Sequence, residues 1–351
     1  MTTPIILPPY YFPFESQLHP DAEEINQLSL VYMDKYRLYG DEVQRDRITN
    51  SHAGLCAAYQ CADLPAELVQ LNADLLMWAF CYDDEICDEP PGGLRLERIA
   101  RTNLNILRAA ESIEQPPNSD ERYAAALHDI RIRFSTLISP MAGDQLARHL
   151  GDYINMEMHK SAYKVCNVTP NLSEVVAMRL WSGGATMFPW VCLLINGQAT
   201  DLAVLSNRRL RALVETAALI SGWDNDIYSV KDETTRPANR NELNIVDVIG
   251  KERKLDLQQA IEVASVMRDR LLTLYLHHRD QLLQQNADLY QPYATALEGY
   301  LRGHLDWAFS SGRYACHGPN APTRFSGFTD VPRDNDLTPL PIDSIQWWWR
   351  I

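Results

Sequence analysis

The sequence predicts an all-α fold, a single-domain helical bundle. From about residue 20 to residue 310 apolar positions recur at helical spacing, most clearly over 255–284 and 287–309. No run of alternating β-branched residues stands out against this pattern. No internal repeat or strong linker divides the 351 residues, of which 22% are charged, so one large core is allowed.

Taken in order, residues 1–18 carry Pro4, Pro8, Pro9, Tyr10, Tyr11 and Pro13 and are expected to form a strap, not a helix. The helical domain is placed at 19–314. One helix in it is well marked: Asp63 offers a cap and Pro65 suits the first turn. Leu68, Leu71, Leu75 and Trp78 then form one buried stripe, with Val69, Ala73, Leu76 and Phe80 beside it. Three residues past Phe80 the second stripe reaches Asp83, so this carboxylate stands at the mouth of an apolar face. Pro90-Pro91-Gly92-Gly93 ends the helix. Asn196-Gly197 has no strand-like run after it and reads as a helix end. In 315–351, Pro319, Pro322, Pro332, Pro339 and Pro341 preclude a long helix. This tail, with Trp347-Trp348-Trp349 near its end, is expected to pack over the domain with part of it disordered.

The net charge is −14, which argues against nucleic acid as a partner. An anionic small molecule would need metal ions or local Arg and Lys to reverse the field. Seven cysteines form no CxxC pair and no zinc spacing with His, as expected of reduced, buried thiols in a cytoplasmic protein. The first basic residue is Lys35, so the start lacks the charged region of a signal peptide. The most apolar stretch, Gly183 to Ile195, contains Pro189 and is too short to span a bilayer, so no stable membrane insertion is expected. Homodimerisation is left open.

Asn225, Ser229 and Glu233 stand four residues apart, twice over. Each step of four turns a helical side chain by about 40°, so the three share one face and span about 12 Å. An amide oxygen, a hydroxyl and a carboxylate in a row suit Mg²⁺ better than a soft metal. The competing structural reading has Ser229 bonding back to a helix carbonyl and Glu233 pairing with Arg236 or Lys231. Far upstream lies Asp83-Asp84-Glu85-Ile86-Cys87-Asp88. On a regular helix Asp84 and Asp88 converge, whereas Asp83 and Asp88 lie about 140° apart. Those two share metal ions only if the helix unwinds or bulges before Pro90. Spacing therefore leaves open whether Asp83 or Asp84 is the main ligand. Two oxygen-rich helix faces across one apolar cavity would hold an anionic substrate between them.

The pair of clusters resembles those of the bacterial class I terpene synthases, or terpene cyclases. Asp83 to Asp88 looks like the DDxxxD form of their aspartate-rich motif. Asn225, Asp226, Ser229 and Glu233 look like their NDxxSxxxE triad. Trp307 followed by Arg313-Tyr314 resembles their C-terminal signature, and Arg179 stands where the family places a diphosphate-sensing arginine. Ser182 departs from the acidic residue often found after that arginine, and Lys231 is one position early for the lysine before the triad's glutamate. The resemblance implies the class I terpenoid synthase fold around a central apolar cavity, with 19–314 as the catalytic domain. It further implies three Mg²⁺ held by Asp83, Asp84, Asp88, Asn225, Ser229 and Glu233, and a diphosphate bound by Arg179, Lys231, Arg313 and Tyr314. An Asp84–Arg313 pair would leave Asp83 and Asp88 to the metal. Gly183 falls at the position called the effector, where a helix break aims carbonyls at a cation. Phe80 and Trp307, with Trp181 and Phe188, would line a water-poor cavity and stabilise carbocations.

The substrate so implied is a linear isoprenyl diphosphate, farnesyl diphosphate first, cyclised to a sesquiterpene; geranylgeranyl diphosphate is the alternative. A chain-elongating isoprenyl diphosphate synthase would need a second Asp-rich motif where this chain has Asn225-Asp226-Ile227-Tyr228-Ser229. A non-catalytic helical binding protein would not need ligands in both clusters. Arg179, Arg313 and Tyr314 come from separate segments, so an anion is expected to gather them, and Arg313-Tyr314 to be mobile without one.

Overall fold

The computed structural model describes residues 4–88, 93–118, 120–198, 201–235, 243–314 and 323–351. The apolar stripes form helices at Ala22–Tyr36 (α1), Glu42–Thr49 (α2), Ala53–Gln60 (α3), Ala66–Tyr82 (α4), Leu96–Glu111 (α5), Arg122–Leu137 (α6) and Pro140–Cys166 (α7). Then come Leu172–Arg179 (α8), Met187–Ile195 (α9), Leu202–Leu205 (α10), Arg208–Thr235 (α11), Ile245–Arg253 (α12) and Leu257–Ser310 (α13). Local signals start several of them. Ser139 accepts the Ala142 N–H ahead of Pro140, and reciprocal capping boxes of Asn171 with Glu174 and Asp256 with Gln259 open α8 and α13. The two long stretches at 255–284 and 287–309 become one element, α13, broken at Asn286 (φ −163°, ψ 94°). The Asn286 side chain accepts the Leu289 N–H at 3.2 Å, so the second half starts with its own cap.

The helix end at Asn196-Gly197 is a Schellman closure. Gly197 (φ +73°) donates to Leu194 O at 3.0 Å and Gln198 to Leu193 O at 2.9 Å. The start of α4 differs from expectation. Pro65 (ψ 137°) is itself the flanking residue, no side chain caps the helix, and Leu68 N–H bonds Pro65 O at 2.9 Å. Extended backbone at Pro65 leaves Asp63 two residues outside. Of the run expected to end that helix, Pro90, Pro91 and Gly92 lie outside the described residues.

Helices α4, α7, α9, α11 and α13 meet around the centre of the molecule, with α11 packed along α13. Trp78, Trp223 and Trp307 are fully buried there. Among the described cysteines, Cys56, Cys61, Cys81, Cys87 and Cys192 are buried free thiols and Cys166 is exposed.

The strap and the tail hold each other. Ile5–Leu7 (β1) pairs in parallel with Thr323–Phe325 (β3), and Tyr10–Tyr11 (β2) with Phe328–Thr329 (β4). Strands of two or three residues are too short to show alternation, and their partners lie over 300 positions away. Phe325 stacks on Phe309 of α13 with centroids 3.7 Å apart. A last 3₁₀ stretch, Asp343–Arg350, buries Trp348, whose Nε1 donates to Glu215 Oε2 at 3.0 Å. Trp347 lies under the Arg208 guanidinium at 4.4 Å.

Arg268 of α13 pins the strap from beneath. Its Nε and Nη2 donate to Asp224 at 2.7 and 3.1 Å, Nη1 donates to Tyr11 O at 2.6 Å, and the guanidinium lies 4.6 Å from the Phe12 ring. Burial pushes the Asp224 carboxyl up to about 6 even against the pull of Arg268. Arg268→Leu would leave that carboxylate buried and unpaired. It is expected to lower unfolding stability by about 3–5 kcal/mol in urea titration, and Arg268→Leu with Asp224→Leu to recover most of the loss.

Candidate active site

The inner stripe of α4 delivers its last turn into a π-helical segment, Asp83–Asp88. The wider i→i+5 turn brings residues five apart into line, which a regular helix does not. Asp83 and Asp88 thus share one side, and both carboxylates lie 3.4 Å from Lys160 Nζ of α7. Lys164 Nζ adds 2.8 Å to Asp88. Asp84 turns elsewhere, taking Arg47 Nε at 3.1 Å and Arg313 Nη2 at 3.0 Å. Glu85 turns away again, to the Tyr123 hydroxyl at 2.7 Å and to Arg122. One acidic run therefore feeds three destinations, and only Asp83 and Asp88 remain together. Burial and the neighbouring Asp88 push the Asp83 carboxyl well above the usual range, against Lys160. Burial acts the same way on Asp88, but Lys160 and Lys164 outweigh it and hold that carboxyl well below the usual range.

Across the cavity, α11 presents Asn225, Ser229 and Glu233 on one face. Asn225 Oδ1 accepts from Arg179 Nη2 at 3.0 Å, and its Nδ2 lies 3.0 Å from the hydroxyls of Tyr228 and Tyr314. Ser229 Oγ lies 2.7 Å from Asn225 O and 2.5 Å from Glu233 Oε1. Asn244 Nδ2 donates to Glu233 Oε2 at 2.8 Å. The back-bond of the structural reading is present, yet the three side chains still face the cavity together. Arg236, one of the two partners suggested for Glu233, lies outside the described residues. Burial and Asp226 raise the Glu233 carboxyl.

Arg179 closes α8 against this wall. Nε lies 3.0 Å from Asp226 Oδ1, and Nη2 donates to Gly222 O at 3.0 Å. Beyond it the chain breaks at Gly183 (φ +61°) and Gly184 (φ +69°). A Cβ on Gly183 would sit 2.9 Å from Arg179 Nη1, and one on Gly184 2.7 Å from the Phe188 ring, so both left-handed turns require glycine.

The apolar part of the cavity is lined by Leu76, Phe80, Tyr153, Phe188, Tyr300 and Trp307. Phe80 and Trp307 have centroids 5.3 Å apart, and the Arg313 guanidinium lies 4.9 Å from the Phe80 ring. Trp307 Nε1 donates to Ser51 O at 2.8 Å, which orients the indole. Trp181 is not in the lining, and neither is Lys231; every other site residue named from the sequence is. The Arg313-Tyr314 segment lies against the cavity, where Asp84 supplies the charge its guanidinium needs and Asn225 meets the Tyr314 hydroxyl.

Sequence reasoning missed Lys160, Glu157, Arg47 and His304. Glu157, Lys160 and Lys164 stand at i, i+3 and i+7 on one face of α7, a readable signal. Nothing local tied that face to Asp83. His304 Nε2 lies 2.9 Å from the Tyr228 hydroxyl, and burial, with Arg179, pushes the imidazole down to about 3. Among the described residues no helix is long and apolar enough to cross a membrane.

The folded His304 stays neutral where an unfolded histidine, titrating near about 6.5, takes a proton. Stability tied to this ring is present above about pH 6.5 and lost as pH falls toward 3. The stability of His304→Gln relative to the parent chain is expected to rise by about 2 kcal/mol between pH 7 and pH 4.5, read by urea titration.

Comparison with known proteins agrees with this site. Residues 74–273, which include both clusters, match the family model described as terpene synthase family 2, C-terminal metal binding. A (+)-(1(10)E,4E,6S,7R)-germacradien-6-ol synthase of Streptomyces pratensis is 31% identical over 98% of this chain and 97% of its own. A (+)-T-muurolol synthase of Streptomyces clavuligerus, described as (2E,6E)-farnesyl diphosphate cyclizing, is 27% identical over 97% of this chain and 82% of its own. The crystal structure of the reconstructed ancestral protein SVS_A2 shares the fold at TM-score 0.83 and 23% identity, over 98% of each chain. A match over most of the sequence, with both oxygen-rich walls inside the family model, means that this chain belongs to the bacterial class I terpene synthases.

Proposed function

We propose that the chain binds a linear isoprenyl diphosphate, farnesyl diphosphate first, and cyclises it to a sesquiterpene hydrocarbon or alcohol with release of diphosphate. The observation that carries this reading is the pair of oxygen-rich walls facing each other over an aromatic cavity, with Arg179 and Arg313 among its lining residues. The T-muurolol synthase supports the C15 chain length, since its name gives farnesyl diphosphate as its substrate.

The residues present fit Mg²⁺. Asp83, Asp88, Asn225, Ser229 and Glu233 offer only oxygen, and all line the same cavity. We assign three such ions to these residues; when bound they supply Lewis-acid stabilisation of the leaving diphosphate. Asp84, committed to Arg47 and Arg313, is left out of the ligand set. Arg179 and Arg313 give charge-assisted hydrogen bonds to the diphosphate oxygens, and Tyr314 donates one more. Lys231, outside the cavity lining, has no such part. The C–O bond breaks with its electron pair on the diphosphate, leaving an allylic cation. Phe80 and Trp307 face that cation, while the Trp307 indole N–H is held by Ser51 O and keeps its polar edge away. The strap and tail cover the 19–314 catalytic domain from outside, and the buried thiols suit a cytoplasmic setting.

Incubation with geranyl, farnesyl and geranylgeranyl diphosphates and Mg²⁺, followed by gas chromatography, tests the reading. A cyclic C15 product, abolished by EDTA, is expected; a cyclic product only from the C20 substrate would reassign chain length. Asn225→Ala and Glu233→Ala are expected to lose on the order of 100-fold or more in turnover with helical circular dichroism unchanged. Full turnover in excess EDTA would overturn the metal assignment.

Phe80→Ala and Trp307→Ala act on the cation rather than on the diphosphate. Each is expected to slow cyclisation roughly 3–30-fold, the rate equivalent of a cation–π contact, and to divert product, with substrate KM little changed.

A further inference from the structure

Glu157 of α7 is a fully buried carboxylate that the reading above does not use. Burying a carboxylate is costly, so its partners show what it holds. Its Oε1 accepts the Gly183 N–H at 2.7 Å, and its Oε2 is 2.7 Å from Lys160 Nζ. The same ammonium lies 3.4 Å from Asp83 and from Asp88.

The Gly183 peptide needs such a partner. Its left-handed turn sits between α8 and α9, so the N–H has left one helical ladder without joining the next. Ser182, next to it, brings no charge to the turn. The acceptor comes instead from across the cavity wall, on a different helix. Gly183, Ser182 and Ala185 all line the cavity, so a shift of this turn changes its contour. Small displacements in such a wall are felt by a reacting chain that must fold in one way.

We propose that Glu157 is a positioning residue whose carboxylate sets the Gly183 peptide in the cavity wall, with Lys160 as the partner that makes its burial tolerable. The consequence for product outcome rests on the cyclase reading above; the tie between Glu157 and Gly183 does not. Two conservative variants separate positioning from mere ion pairing. Glu157→Gln keeps the reach and one acceptor oxygen for the Gly183 N–H, but drops the charge and turns an amide NH2 toward Lys160, which then leans on Asp83 and Asp88 alone. Glu157→Asp keeps the charge for Lys160 but withdraws the acceptor by one methylene.

The experiment measures amide hydrogen exchange of the peptide containing Gly183 and the product profile from the productive isoprenyl diphosphate, in wild type, Glu157→Gln and Glu157→Asp. Glu157→Asp is expected to speed exchange at Gly183 about tenfold, as loss of one buried hydrogen bond does, and to divert product to species absent from wild type. Its KM for substrate should stay within about threefold, because the diphosphate contacts are not touched. Glu157→Gln is expected to keep both exchange and products close to wild type. The reverse order, with Glu157→Gln disruptive and Glu157→Asp silent, would make the residue only the counterion of Lys160 and overturn the proposal. Equal exchange in all three proteins would overturn it too. Wild type inactive on every isoprenyl diphosphate would sink the cyclase reading, while the exchange contrast would still decide whether Glu157 holds Gly183.

Discussion

Asp84 held between Arg47 and Arg313 is the contact on which the arrangement of this site depends. Charges this deeply placed persist only when paired and hydrogen-bonded, so one carboxylate serving two guanidinium groups fixes three segments at once. It docks the stretch after α13 onto the end of α4. Tyr314 then meets Asn225 and sets its ring against Tyr228, centroids 4.4 Å apart. It lays the Arg313 guanidinium near Phe80. It also withdraws Asp84 from its neighbours, so that Asp83 and Asp88 act as a pair.

The same logic explains how a chain with net charge −14 suits an anionic ligand. Its acids are not spread evenly: the cavity gathers several, most of them paired with a cation, while Glu233 is held by Ser229 and Asn244. Lys160 answers Asp83, Asp88 and Glu157, Arg179 answers Asp226, and Arg47 and Arg313 answer Asp84. The lining holds Arg47, Lys160, Arg179 and Arg313 among Asp83, Asp84, Asp88, Asp226 and Glu233, so its own cations offset most of its acids, and bound metal ions would supply the rest of the positive field that an anion meets at short range.

What could be read from the sequence was what a single helix decides. Asn225, Ser229 and Glu233 share a face because four-residue steps on α11 put them there, and no distant contact was needed. The stripe of Val69, Ala73, Leu76 and Phe80 led to Asp83 for the same reason. The partition of Asp83, Asp84 and Asp88 was not legible from spacing, only from the family resemblance, because it turns on a π-helical segment that spacing can demand but not supply. Lys160, Glu157 and Arg47 were not legible as site residues, because α7 and α2 reach the cavity only through tertiary packing. Residue type misled at two places. Lys231 is two positions from Ser229, about 200° around the helix, and so leaves the ligand face. Trp181 directly precedes the turn broken by two glycines, where helical projection no longer says which way a side chain points.

The parallel pairing of residues 5–11 with residues 323–329 also has a meaning for biosynthesis. On the ribosome the strap emerges more than 300 residues ahead of its strand partners, so these pairs form only after the helical body has been made. At about 5–20 residues per second the strap waits on the order of tens of seconds with Tyr10, Tyr11 and Phe12 uncovered. The pairs join residues more than 300 positions apart and so carry a high loop-closure cost, which places them late on the folding path. A nascent chain at that stage has its helices and its cavity but still exposes aromatic side chains. This interval is where chaperones have surface to hold, and where truncated products have reason to aggregate.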